Sequence, residues 1–127
     1  MQETEVVTIK EFYDVTGNDY NDAIKRFMDE RRLEKFVKMF LDDPSYRDLE
    51  TCLAQSDLEE AFHAVHTLKG VCLNLSFSRF YESASAVTEA LRSAKSDREQ
   101  LGPVYSCMEV LRKDYSAIIA AIHQIGQ

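Results

Sequence analysis

The sequence has few of the residues that interrupt helices, with only 4 glycines and 2 prolines in 127 residues. This scarcity disfavours a fold of short strands and tight turns, and it favours long helices. No apolar run approaches the roughly 18 residues of a membrane-spanning helix, so we expect none. The opening MQETEVVTIK lacks the basic-then-apolar pattern of a signal peptide, and we therefore expect a cytoplasmic location.

Paired cysteines and excess positive charge are missing too. The three cysteines, Cys52, Cys72 and Cys107, form no Cys-x-x-Cys pair, which argues against a disulfide framework or a zinc knuckle and favours reduced, buried thiols. The formal net charge of −7 disfavours nucleic acids and anionic membranes as partners. There is no glycine-rich phosphate loop and no kinase-like acidic motif. We therefore expect that the protein is not an enzyme and has no ATP-dependent kinase activity of its own.

Apolar residues recur at intervals of three and four through most of the chain, which is typical of helices with one buried face. Capping signals set the expected starts and ends of several helices. These signals are the capping box Thr8–Glu11, Gly17 as a left-handed C-cap, Asp43-Pro44, a second capping box Ser56–Glu59, Ser78 as an N-cap, and Pro103. The strongest apolar stripe predicts a helix of about five turns from Asp57 to Leu75.

No segment alternates apolar and polar residues over the length of a strand. We therefore predict an all-α fold, an antiparallel four-helix bundle with additional short helices at the N-terminal end. Residues 1–127 are expected to form a single domain, with residues 1–7 as a flexible tail.

The informative stretch of the predicted helix from Asp57 is His66-Thr-Leu-Lys69-Gly70. At about 100° per residue from Val65 on the buried stripe, His66 lies about 100° round the helix and Gly70 about 140°. Lys69 lies between the stripe and His66. A glycine inside a helix costs about 1 kcal/mol relative to alanine. We interpret Gly70 as leaving room for a partner to approach the imidazole.

An imidazole is mostly neutral and nucleophilic near pH 7, and it can accept a phosphoryl group. Lys69 would then neutralise the phosphate as a point charge from the adjacent ridge of the helix. Phe62, Leu73 and Phe77 could flank His66 as a partly exposed apolar patch, although each could equally belong to the core. His63 is expected beside them on the surface. We predict these four residues as the partner-binding surface.

At these residues the chain resembles the histidine-containing phosphotransfer (Hpt) domains of phosphorelays, with their H-x-L-K-G core at residues 66–70. Asn74-Leu75 and Val87 also fit the family pattern. The resemblance implies a four-helix bundle that exchanges a phosphoryl group between His66 and an aspartate of a receiver domain, in a response regulator or a hybrid histidine kinase. It implies no cofactor for this chain, since magnesium belongs to the receiver, and we expect a monomer.

The chain departs from the family pattern at two places. Ser76 stands where a glycine often follows the Asn-Leu pair, and Thr88 stands where a glutamate often follows the apolar residue, with Glu89 one position later. Both places are structural in character, so the departures concern local geometry more than the phosphorylation site.

Two other functions remain open from the sequence. The bundle could be a protein-binding module without phosphotransfer. It could also bind a metal, since Glu60-x-x-His63 occurs in di-iron bundles and Glu59, His63 and His66 share a helix face. A di-iron site needs a second such motif, and none accompanies the third histidine, His123.

Overall fold

Helices account for nearly all of residues 8–126, the part of the chain that the computed structural model describes, and no β-strand occurs among them. The predicted tail, residues 1–7, lies outside the described residues. The α-helices are α1 (Ile9–Thr16), α2 (Tyr20–Phe27), α3 (Glu30–Met39), α4 (Ser45–Ala54), α5 (Leu58–Asn74), α6 (Ser78–Ser96) and α7 (Leu101–Gln124). Short 3₁₀ helices, Phe40–Asp42 and Arg98–Gln100, follow α3 and α6. The all-helical prediction is confirmed.

The first helix begins and ends as its local sequence predicts. The Thr8 hydroxyl accepts a hydrogen bond from the Glu11 amide at 3.1 Å, and the Thr8 amide donates to the Glu11 carboxylate at 2.8 Å. This reciprocal pair is a capping box. At the other end Gly17 is left-handed with φ +73°, a conformation that glycine adopts without a side-chain clash.

The start of α5 differs from the predicted capping box. Asp57, not Ser56, occupies the N-cap, and its carboxylate accepts a hydrogen bond from the Glu60 amide at 3.1 Å. Ser56 lies in the preceding turn with φ +58°. Both residue types cap helices well, and the turn from α4 decides which of them reaches the free amides.

Three other predicted helix starts also shift. Ser78 is the first residue of α6 and does not cap it; instead, the Asn18 side-chain oxygen accepts a hydrogen bond from the Arg79 amide at 2.8 Å. α4 begins at Ser45, so Pro44 precedes the first helical position instead of occupying it, while the Asp43 carboxylate accepts a hydrogen bond from the Ser45 amide at 2.9 Å. Pro103 lies in the first turn of α7, where its missing N–H leaves no helical hydrogen bond unmade.

The core lies between consecutive helices, because α4 packs on α5, α5 on α6 and α6 on α7, while α1 packs on α7. The predicted stripe of α5 is its buried face: Leu58, Ala61, Val65, Leu68 and Cys72. Of the three thiols, Cys72 is buried as predicted, whereas Cys52 and Cys107 are only half-buried. No helix among residues 8–126 is both long enough and apolar enough to cross a membrane.

Phe77 belongs to this core and not to the surface. Its side chain is fully buried, with its ring centroid 5.7 Å from that of Phe12, 5.9 Å from Tyr13 and 5.6 Å from Phe40. The prediction that Phe77 contacts a partner is therefore wrong. The reason is that Phe77 lies in the turn after α5, where Ser76 is left-handed, and this turn places the Phe77 side chain in the core.

Candidate functional site

His66 lies at the middle of α5, on the face opposite the buried stripe, and its side chain is exposed. His63, one turn earlier, and Gly70, one turn later, are exposed on the same face. The arrangement follows from helical geometry, because residues three and four apart are neighbours on the helix surface. The imidazole of His66 is therefore accessible at the middle of a helix whose other face packs into the core.

Gly70 leaves open space next to His66. A Cβ atom placed on Gly70 would meet no atom within 4 Å beyond its own helix backbone and its chain neighbours. No other helix packs against Gly70, so close packing is not the reason for a glycine at this position. The space above this turn is available to an approaching partner.

Lys69 is half-buried at the α5–α6 boundary, on the ridge next to His66. Its ammonium nitrogen lies 5.4 Å from the ring centroid of Tyr81 on α6. Its charge also helps to lower the pKa of the Glu89 carboxyl, although the hydrogen bond from Arg92 is the largest cause of that shift. The Lys69 ammonium therefore contacts a ring of α6, and Lys69 lies one turn along α5 from the exposed His66.

A sequence model of the Hpt domain matches residues 35–121, which is more than half of the chain. The chain belongs to the Hpt domain family. Hpt domains are histidine-containing phosphotransfer modules of two-component signalling; they carry phosphoryl groups rather than act as kinases, and they interact with receiver domains. Comparisons with curated proteins and with solved structures gave no match.

Within this Hpt domain, Phe62 is partly exposed, and two cations of α6 lie over its ring. The ring is half-buried, with the Lys95 ammonium 4.2 Å and the Arg92 guanidinium 5.2 Å from its centroid. These cations of α6 cover part of the aromatic surface. Phe62 therefore offers a partner a ring edge together with positive charge.

His63 and Leu73 lie on the exposed face on either side of His66. The Nε2 atom of His63 is 3.4 Å from a carboxylate oxygen of Glu59, and the imidazole lines a groove of about 300 Å³ between α4 and α5. The Leu73 side chain is 52% exposed. Beside it, Val71 and Asn74 line a larger apolar groove of about 650 Å³ that extends to α2 and α3.

The described part of the chain contains no cluster of side chains that could bind a metal ion. No group of three or more histidine, cysteine, aspartate or glutamate side chains within residues 8–126 is arranged to hold a metal ion. The exposed Glu59 and His63 pair with each other, and Glu59 also lies 3.2 Å from the Lys95 ammonium. His123 is exposed on α7, a different helix from that of His66.

No sequence pattern indicated a role for Tyr81, Arg92 or Lys95, although each of these α6 residues contacts a site residue of α5. Helical spacing places these three residues outside the buried face of α6, but it does not show what they contact. Which residue of α5 each one meets depends on the register between the two helices, and no local pattern encodes that register. The single available signal was the clustering of basic residues late in α6.

Proposed function

We propose that this Hpt domain is a phosphorelay intermediate that carries a phosphoryl group on His66 and exchanges it with an aspartate of a receiver domain. The observation that carries the proposal is the exposed His66 beside the cation of Lys69 and the open space at Gly70. None of the three would be informative alone. Together they provide a nucleophile, a counter-charge and access on one helix face.

In the forward step, an imidazole nitrogen of His66 attacks the phosphorus of the receiver's aspartyl phosphate. A P–N bond forms, the P–O bond to aspartate breaks, the carboxylate leaves, and the nitrogen ends with no added proton because it attacked as the neutral imidazole. The reverse step returns the group to aspartate. Such transfer depends mainly on positioning and on charge neutralisation. Lys69 supplies one positive charge, and we expect the receiver to supply magnesium, so that this chain needs no cofactor.

The docking surface that we propose centres on His66 and includes Phe62, His63 and Leu73, whereas Phe77 has no part in it because it is buried. The open turn at Gly70 lies between Leu73 and the imidazole. A surface of this kind suits a partner that covers α5 while its aspartate reaches the ring. We expect the Hpt domain to act as a monomer in this complex.

We further propose that α4, α5, α6 and α7 form an antiparallel four-helix bundle. Each packs against the next in the chain, and consecutive helices are joined by short connections. Short connections between packed helices favour antiparallel neighbours. In this arrangement α1, α2 and α3 are the additional N-terminal helices.

Phosphorylated receiver domains provide the test. Receivers carrying ³²P on aspartate are mixed with the chain, and the label is followed onto it. The product should be acid-labile and alkali-stable, as expected of a phosphoramidate. His66→Gln should abolish labelling with an unchanged helical circular dichroism spectrum, while His123→Gln on α7 serves as the matched control and should label normally. Label that persists on the His66→Gln variant would refute the assignment, and receiver binding without any label would favour a binding module.

A further inference from the structure

The ammonium of Lys69 is held by an aromatic ring and not by a carboxylate. Its nitrogen lies 5.4 Å from the centroid of Tyr81, within the range of a cation–π contact. No acidic side chain within residues 8–126 forms an ion pair with Lys69. Both Lys69 and Tyr81 are half-buried, so the contact is partly shielded from water.

The other two cations at the α5–α6 boundary are paired with carboxylates. Arg92 makes two 3.3 Å hydrogen bonds to Glu89, and the Lys95 ammonium lies 3.2 Å from Glu59. Glu89, the carboxylate whose pKa the charge of Lys69 helps to lower, is therefore hydrogen-bonded to Arg92. Among residues 8–126, Lys69 thus has no carboxylate partner, whereas Arg92 and Lys95 each have one.

A ring and a carboxylate hold a lysine in different ways. A carboxylate cancels the charge and accepts the N–H donors, whereas an aromatic face attracts the ammonium and leaves its charge uncancelled. The ring restricts the flexible side chain while N–H donors remain for the oxygens of a phosphoryl group. Restricting the lysine in advance lowers the entropy that is lost when it contacts the phosphoryl group.

Helical geometry places this restrained cation within reach of His66. Lys69 follows His66 by three residues, and side chains in a helix lean towards its N-terminus, which for Lys69 is the direction of His66. We propose that Tyr81 is a positioning residue, which keeps the unpaired ammonium of Lys69 beside the phosphorylated imidazole. The inference rests on the function proposed above, because it assigns Tyr81 a part in the same transfer.

Phosphoramidate, a small phosphoryl donor, tests this role without a partner protein. The donor is a zwitterion whose nitrogen is already –NH₃⁺. Its P–N bond breaks, ammonia leaves with the electron pair of that bond, and the lone pair of a neutral His66 nitrogen forms the new P–N bond. Two quantities are measured: the rate of labelling, and the pH midpoint of the phosphohistidine ³¹P signal, which a nearby cation lowers. Tyr81→Leu should slow labelling about two- to fivefold and raise the midpoint towards that of Lys69→Ala. Tyr81→Phe keeps the ring and should match the wild type in both.

Two controls separate positioning from folding. Tyr105→Leu removes an exposed tyrosine of α7 and should change neither quantity. In the Lys69→Ala background, Tyr81→Leu should have no further effect, because the lysine through which it acts is gone. An effect of equal size in that background would overturn the inference, as would a Tyr81→Leu variant with wild-type rate and midpoint, or one with faster labelling. If phosphoramidate labelled the wild type but not at His66, the proposed function itself would fail.

Discussion

The hydroxyl of Ser76 donates a hydrogen bond of 2.5 Å to the carboxylate of Asp22, which joins α2 to the turn that ends the site helix. Ser76 has φ +57°, in the left-handed region that favours glycine. A second hydrogen bond joins α1 to the same turn, since the Tyr13 hydroxyl donates to the Leu75 carbonyl at 2.6 Å. The serine in place of the family's frequent glycine is thus accommodated by a contact that glycine could not make.

Substitutions of Ser76 should separate backbone strain from the hydrogen bond. Ser76→Ala keeps the left-handed strain and loses the bond, so we expect it to lower the free energy of unfolding by about 1 kcal/mol. Ser76→Gly loses the same bond but relieves strain of about 1 kcal/mol, so it should stay near the wild type. Urea unfolding midpoints measure the difference. An alanine variant as stable as the glycine variant would show that the backbone here is unstrained.

The ion pair between Glu50 and Arg112 should make stability depend on pH. Arg112 donates two hydrogen bonds to Glu50, at 2.8 and 3.0 Å, and Tyr46 donates a third, so α4 is joined to α7. The hydrogen bond from Arg112 is the largest cause that lowers the pKa of the Glu50 carboxyl. A lowered pKa means that the folded state favours the charged form.

The sign of the pH effect follows from this shift. The extra stability is present above the ordinary carboxyl pKa of about 4.3 and is lost as the pH falls through the lower folded value. Glu50→Gln should therefore be less stable than the wild type at pH 7, and the difference should shrink below about pH 4. Chemical unfolding at both pH values measures it. A difference independent of pH would mean that packing, and not charge, makes Glu50 important.

The position of the site was predictable because it depends on one long helix. Helical spacing alone placed Val65 in the core and His66 on the surface, and the described residues agree with both. Phe77 lies in the turn beyond this helix, where helical spacing gives no orientation, and its side chain is buried. Periodicity holds only as far as the helix that produces it.

Contacts between distant segments were not predictable. Asn18 caps α6 from 61 residues away, as its hydrogen bond to the Arg79 amide shows. The contact of Lys69 with Tyr81 depends similarly on the register of two helices. In each case the residue types are ordinary for their local sequence, and only the tertiary fold brings the two partners together.

Leu73 tests the docking surface. Leu73→Asp puts a charge on the apolar part of the proposed surface, and we expect it to weaken receiver binding and slow transfer at least tenfold, about 1.4 kcal/mol. Because Leu73 is exposed, the melting temperature should change little. Val110→Asp on α7 is the matched control, since Val110 is similarly exposed at 54%. Equal effects of the two substitutions on transfer would remove Leu73 from the docking surface.

Gly70 allows stability and function to be separated most directly. Nothing lies within 4 Å of an added Cβ, so alanine should raise the free energy of unfolding by about 1 kcal/mol through helix propensity alone. Gly70→Gln should melt at or above the wild-type temperature, yet it should accept a phosphoryl group from a receiver poorly, because its side chain fills the space beside His66.

Gly102 provides the control for this experiment. It is also exposed, with nothing within 4 Å of an added Cβ, but it lies in the first turn of α7. Gly102→Gln should accept phosphate at the wild-type rate, so slower transfer in Gly70→Gln alone can be assigned to its position next to His66. If Gly70→Gln were destabilised, the glycine would have a structural role that the open space does not reveal. If it were stable and fully active, the partner would not need that space, and docking would have to depend on Leu73, His63 and the rim of Phe62.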